Sequence, residues 1–460
     1  MLADHLQKDE NDARAYLVSL AEGLSREARD ELHQPEAAEL VERADKLRHT
    51  TETAMLRSFG AWQHAVHAYE SLAAAVAGAR NARARVARSY DSMVAMHGDA
   101  AAQSEGRSPY SVWDAREHGR RRQLEASLAR CYSAPSALLV NSGASALAVA
   151  LGARRLPRGS TVLTGRSTHR DAEHLLTRFI APLGVKLVRV PPANARTVLD
   201  ALSALQPSVA FFETAVIAPG GDVPAGIRGW SEASPRTLFL VDNTAQSVLT
   251  RWFGGAAPAV KRLLVLESAT KYLAHHCTAG LLYGPEELIA ESREYAKYTG
   301  QQLQEKAFNF VRPAEIEHLG WKLSRHSHNA GVFLDELSAV DGVDARGLDA
   351  AAGEESRRLL FREGRGGVVF VRLRGHGSGE RAHHELLAAW QATARRRGGW
   401  IPVRAGFGWN DTTATVQAAP LHESKGSPHL RISTGIEPEH IARELAGALA
   451  AACVELRGAS

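Results

Sequence analysis

The sequence is poor in cysteine. It has three in 460 residues, Cys131, Cys277 and Cys453, far apart and without metal-ligand spacing. That excludes a disulfide scaffold and a zinc module, and reduced thiols in a cytoplasmic protein are expected. No apolar run approaches the ~20 residues that span a bilayer, so no membrane partner is expected. The opening stretch MLADHLQKDENDARAY lacks the apolar core of a secretion signal. Charge of one sign is scarce too: 55 Lys and Arg stand against 51 Asp and Glu. A surplus of that size is no polyanion-binding surface. The runs Arg120 to Arg122 and Arg395 to Arg397 read as solvated helix faces. With no finger, RNA-binding or helix-turn-helix signature, a nucleic-acid partner is not expected.

What is present suits a soluble globular protein of two or more domains, since 460 residues exceed one ordinary core. Residues 1–105 are rich in Ala, Leu, Glu and Arg, and their apolar residues recur at helical spacing, as in AYLVSLAEGL and YESLAAAVAGA. They form a helical extension for which a packing appendage, an oligomerisation arm and a lid all fit. Residues 106–300 alternate strand and helix. A helix near Arg120 to Cys131 leads to a strand at Ala137 to Val140, a small-residue turn and a helix from Ser145. Strands follow at 161–165, in VKLVRV and at 209–214, with helices between them. That rhythm predicts an α/β domain with a parallel sheet. After Gly280 the sheet signal lapses. Residues 301–460 read as a smaller α+β domain, with strands in GGVVFVRLRG and LRISTGI and a last helix in EPEHIARELAGALAAACVEL.

The chemistry concentrates between residues 239 and 280. One apolar run ends in Asp242; a second, Leu263 to Leu266, leads into Ser268-Ala269-Thr270-Lys271. Both read as buried parallel strands, and ligands of such sheets sit past the strands' carboxyl ends. A carboxylate and a lysine in one crevice, with hydroxyls beside the lysine, suit pyridoxal 5'-phosphate (PLP): the amine forms a Schiff base and the acid pairs with the ring nitrogen. The turn Ser142-Gly143-Ala144 before a helix can offer N–H groups to a phosphate.

Four segments, in order, resemble the cystathionine synthase and lyase (Cys/Met metabolism) family of PLP enzymes. They are Ser142-Gly143-Ala144, Asp242-Asn243-Thr244, Ser268-Ala269-Thr270-Lys271-Tyr272-Leu273 and Arg431-Ile432-Ser433-Thr434-Gly435-Ile436-Glu437. The resemblance spans roughly residues 108–455 and implies the aspartate aminotransferase fold, PLP fold type I. In that fold a large domain with a mostly parallel seven-stranded sheet carries a smaller C-terminal domain. It implies Lys271 and Asp242 as catalytic residues. Ser142, Gly143, Ala144, Thr244, Ser268 and Thr270 would complete the cofactor site, and Arg431 would bind the substrate carboxylate. It further implies a homodimer or homotetramer with the site shared between subunits, where Tyr110 and Arg116 would reach a neighbour's phosphate.

The sequence departs from the family in three places. The ring-stacking tyrosine is absent from Ser167-Thr168-His169-Arg170, which leaves His169 as the candidate. The family's Glu-x-Pro-x-Asn-Pro segment appears as Glu213 to Pro219 without its asparagine, and its Ser-Leu-Gly segment appears as Gly406-Phe407-Gly408. The expectation is β/γ-elimination or γ-replacement on an amino acid in a specialised biosynthetic pathway. Transamination, a retro-aldol step and Cα substitution are alternatives within PLP chemistry, and a non-catalytic PLP-fold partner protein is an alternative outside it.

Overall fold

The computed structural model describes the chain apart from residues 1, 33–35, 54–55, 57, 98–120, 167, 192–193, 216–228, 251, 255–259, 261, 274–276, 349–365, 375–378, 418–427 and 459–460. Seven short strands make the larger sheet: β1 (Ser136–Val140), β2 (Thr161–Gly165), β3 (Lys186–Val190), β4 (Val209–Glu213), β5 (Leu238–Asp242), β6 (Leu263–Glu267) and β7 (Gly280–Gly284). Their spatial order is β1-β7-β6-β5-β4-β2-β3. Pairing is parallel from β3 through β2, β4, β5 and β6. β7 runs antiparallel to both its neighbours, β6 and β1.

β7 corrects the expectation that strand structure ends at Gly280. Its sequence, GLLYG, offers three side chains between two glycines, too little for periodicity to register. The glycine has a steric reason. A Cβ on Gly280 would lie 2.0 Å from the Ser142 carbonyl oxygen, so the strand can pass the turn after β1 only without a side chain.

The central strands are buried on both faces, which is why they read as continuous apolar runs. The two-residue period of a strand divides them between two cores. Leu240, Leu264, Leu266 and Leu282 join Leu147 and Ile289 on one face. Phe239, Val241, Val265 and Tyr283 join Leu128, Leu202 and Trp230 on the other.

Four antiparallel strands form the second sheet: β8 (Val343–Gly347), β9 (Val368–Leu373), β10 (Thr413–Gln417) and β11 (His429–Ser433), in the order β10-β11-β9-β8. β9 and β11 carry the apolar patterns noted in the sequence. β8 (VDARG) and β10 (TATVQ) have too few apolar residues to stand out, and the structure adds them.

The N-terminal segment folds as α1 (Leu2–Glu31), α2 (Glu36–Thr53) and α3 (Phe59–His97). These helices do not stand apart. Leu20, Leu24, Trp62 and Tyr69 share one buried cluster with Phe333, Val369, Trp390 and Ile432 of the second domain. Polar pairs tie the same junction: Ser19 Oγ lies 2.7 Å from His318 Nε2, and the Tyr69 hydroxyl donates to Glu315 Oε1 at 2.9 Å. No helix among the described residues is long and apolar enough to cross a membrane, and no disulfide joins the three cysteines.

Candidate active site

The carboxyl ends of β4, β5 and β6 converge on one crevice. β5 ends in Asp242, paired in register with Glu213 on β4 and with Leu266 on β6. Three residues after Leu266, the chain turns out of the sheet at Ala269 and brings Lys271 round to the same end. The turn is held by Lys271 N donating to Ser268 O and Leu273 N donating to Ala269 O.

Asp242 is fixed from below. The Thr244 N–H donates to its Oδ1 at 2.9 Å, and the Thr244 hydroxyl, also bonded to Asp242, accepts from Ser268 N at 2.8 Å. One threonine thereby joins the acid to the lysine turn. Burial pushes the Asp242 carboxyl up from its ordinary range, while Thr244, His169 and Lys271 pull it back down. Glu213 is driven well above its ordinary value, first by burial and then by Asp242, so the two acids titrate as a pair.

The Lys271 amine lies 5.4 Å from the centre of the Phe407 ring. Burial and then the Arg431 guanidinium lower its pKa, while Asp171 and Asp242 raise it. The amine therefore stands within electrostatic reach of a carboxylate from the large domain and a guanidinium from the small one. Arg431, on β11, is 3% exposed. Its Nη2 donates to the carbonyls of Ala405, by a short bond, and of Gly406 at 3.4 Å. Burial brings it down to about 10. Both of these carbonyls are neutral and leave the guanidinium charge uncompensated.

At the far side of the crevice, Ser142 caps the helix Gly143–Gly152. Its Oγ accepts from Ser145 N at 3.0 Å, and its carbonyl accepts from Ala146 N. The N–H groups of Gly143 and Ala144 come before the first N–H that the helix uses, as helix geometry requires. A Cβ on Gly143 would sit 3.0 Å from Ser268 Cβ, so this turn presses against the lysine turn. A dipole end and free N–H groups in that place suit an anion. The Thr270 hydroxyl is engaged with the Ala279 backbone, donating to its oxygen at 3.2 Å and accepting from its N–H at 3.0 Å. His169 caps the short helix Arg170–Leu175 through Nδ1, and its N–H donates to Glu213 Oε1 by a short bond. Its ring is 39% exposed and close enough to Asp242 to favour the ionised acid. Tyr110 and Arg116 lie outside the described residues.

Behind the site is a polar network that the sequence did not suggest. Glu267 Oε1 accepts from Asn243 at 2.9 Å and Tyr283 at 2.8 Å, and its Oε2 accepts from Tyr132 at 2.7 Å and Ser247 at 2.8 Å. Burial nevertheless raises it to about 7. Lys322 Nζ donates to Tyr272 O at 3.1 Å and so supports the lysine turn from the second domain. Glu213, Asp171 and Phe407 also belong to the crevice. Glu213 and Phe407 lie in two of the segments where the sequence departs from the family, and Asp171 had no sequence signal.

The family model for Cys/Met metabolism PLP-dependent enzymes matches residues 70–449. The chain belongs to that family. PLP is accordingly the cofactor, and the observed donors fit it: a half-buried lysine, a half-buried acid and an open helix N-terminus meet in one crevice. The chain is similar to the chloroplastic cystathionine gamma-synthase 1 of Arabidopsis thaliana, 26% identical over 257 residues, which is 55% of this chain and 44% of that protein. The chain thus spans less than half the length of that curated relative. Among solved structures, cystathionine gamma synthase from Xanthomonas oryzae pv. oryzae in complex with aminoacrylate and cysteine superposes with a TM-score of 0.62 at 20% identity, over 74% of this chain and 87% of that one. The same protein in complex with cystathionine gives 0.61 at 19% over the same shares. At those identities the likeness shows the fold, PLP fold type I.

Proposed function

We propose that this enzyme carries out γ-replacement or β/γ-elimination on an α-amino acid bearing an activated side-chain oxygen, in a specialised biosynthetic pathway. One observation carries the reading: the Lys271 amine lies within reach of both the Asp242 carboxylate and the Arg431 guanidinium. A base, an anion and a carboxylate receptor around one point are what proton removal at Cα requires.

Bound PLP withdraws electrons from the carbon that carries the amino group. The rest falls to the chain. Arg431 binds the α-carboxylate as a fork and fixes which Cα bond faces the lysine. Lys271, whose pKa burial lowers, would remove the Cα proton and, for a leaving group at Cγ, a Cβ proton as well, with a proton passing to the departing oxygen. Asp242 would pair with the ring nitrogen, its anionic form favoured by the Thr244 N–H that donates to it and by the nearby Lys271 and His169. The turn at Ser142, Gly143 and Ala144, with Ser268 and Thr270, receives the phosphate, and His169 borders the ring. The departures at His169 and at Gly406-Phe407-Gly408 support an altered substrate. We also place the enzyme in the cytoplasm as a homo-oligomer; the unlinked thiols support a reducing compartment.

The test is a visible spectrum of purified enzyme titrated with a panel of amino acids that includes O-activated homoserines, followed by product analysis. Release of the side-chain oxygen, with thioether formed when a thiol is supplied, supports the proposal. Ketoacid as the sole product makes it a transaminase. No spectral response to any amino acid removes the catalytic reading.

A further inference from the structure

The segment that brings Phe407 and Gly408 to the lysine is held on its outer side by the first turns of α3, most of which precede the family match. That match begins at residue 70, while the contacts come from α3 at Phe59, Gly60, Gln63 and His67, with Glu70 accepting from Asn410 Nδ2 at 3.3 Å. The Gln63 amide pairs with the Trp400 backbone as a neighbouring strand would. Its Nε2 donates to Trp400 O at 2.6 Å, and Trp400 N donates to its Oε1 at 2.8 Å. The same Nε2 lies 3.3 Å from Asp411 Oδ2, at the other end of the segment. Asp411 has a fully buried side chain, paired with Arg404 at 3.0 Å and 3.6 Å from His67 Nε2. Arg404 in turn covers the Trp409 ring at 4.4 Å. Backbone shape seals the junction: a Cβ on Gly60 would meet Gly398 O at 2.3 Å, and one on Gly399 would meet the Phe59 ring at 2.2 Å.

The inner side of the same segment is the active site. Ala405 and Gly406 supply the carbonyls that hold Arg431. Phe407 faces the Lys271 amine. Gly408 adopts φ +82°, and a Cβ there would lie 2.0 Å from Lys271 O. Its N–H donates to Ser433 Oγ at 3.2 Å. Residues 404–411 thus form a plate one residue thick, with the substrate site on one face and α3 on the other.

We propose that Gln63 is a positioning residue: through Trp400 and Asp411 it sets the 404–411 segment, and with it the Ala405 and Gly406 carbonyls that aim Arg431 at the substrate carboxylate. The N-terminal helices then act on substrate affinity without touching substrate. This rests on the proposed function for Arg431, but the clamp has a readout of its own.

The experiment uses the full-length holoenzyme with Gln63→Met, which keeps the volume and removes the hydrogen bonds, and with Gln63→Glu, which keeps the acceptor for Trp400 N. In hydrogen exchange without substrate, residues 400–412 of Gln63→Met should exchange about tenfold faster, the size expected for one or two lost neutral hydrogen bonds. β4, β5 and β6 should keep their protection. With O-acetyl-L-homoserine as probe, KM should rise about tenfold with kcat within about twofold, and Gln63→Glu, which sets a second carboxylate against Asp411 and the Trp400 carbonyl, should lose at least as much. Unchanged exchange in 400–412, or faster exchange spread evenly over the helices and both sheets, overturns the proposal. So does a loss of kcat equal to the rise in KM. If Gln63→Met does not fold, the exchange of Gln63→Glu decides in the same way. A wild-type enzyme that ignores the probe but shows the localised exchange change overturns the choice of substrate and leaves the clamp standing.

Discussion

Glu213 and Asp242 are direct partners across two parallel strands, the last residue of β4 beside the last residue of β5, both half-buried at the crevice. Two such acids do not both ionise readily, and the stronger upward push falls on Glu213, which should keep the proton. A neutral carboxyl is well copied by an amide. Glu213→Gln should therefore keep PLP affinity within about threefold at pH 7, whereas Glu213→Ala, which loses the acceptor for His169 N, should weaken it by about tenfold, the scale of one hydrogen bond to a charged or buried group. Reconstitution of apoenzyme followed by absorbance titration measures both. Equal losses in the two variants would show that Glu213 works ionised.

Lys271→Ala should remove the visible band of lysine-bound cofactor at about 420 nm, with turnover falling to background. The protein should still fold, since the turn is held by backbone bonds at Ser268 and Ala269 rather than by the amine. An unchanged band in a well-folded variant would mean that a different amine carries the cofactor.

Arg431→Lys keeps the charge and loses the planar fork. KM for the amino acid should rise by roughly tenfold to a hundredfold, the equivalent of about 1.4–2.8 kcal/mol, with a smaller change in kcat. Initial-rate kinetics checks the split. A fall confined to kcat would place Arg431 away from the ground-state carboxylate.

Glu267 yields a prediction in pH. Its pKa is raised by burial from the ordinary 4.5 to about 7 in the folded protein. Between those values the folded state binds more protons than the unfolded one, so stability falls as pH rises. The contribution is complete below about 4.5 and lost above about 7. Glu267→Gln should flatten that decline, and the difference between variant and wild type across the window should be roughly 3 kcal/mol. Denaturant midpoints at several pH values measure it. A parallel decline in both proteins would show that the four hydrogen bonds to Glu267 outweigh its burial.

The large domain was largely legible because its chemistry follows its strands. Asp242 and Lys271 each come after an apolar run of buried strand, and a run of that kind is the strongest local signal a parallel sheet emits. β7, β8 and β10 were not legible. Each is five residues long, and each is specified by partners far away in sequence, as Gly280 is by the Ser142 carbonyl. Neither the Glu267 network nor the Gln63 clamp could be read from spacing. Glu267 lies 16 to 135 positions from its four partners and Gln63 more than 300 from its own, and no periodicity marks a hydrogen bond over that distance. The helical character of residues 1–97 was plain, but the surface they cover was not, since amphipathic pattern names a buried face without naming what lies on it.

The shared apolar cluster of α1–α3 with the second sheet has a bearing on how the protein is handled. A chain trimmed to the stretch from residue 70 onward would lose Leu20, Leu24 and Trp62 from that cluster and uncover the apolar side chains they pack against. Such a fragment should precipitate or bind chaperones even though every group proposed to touch cofactor or substrate among residues 142–431 is still encoded in it.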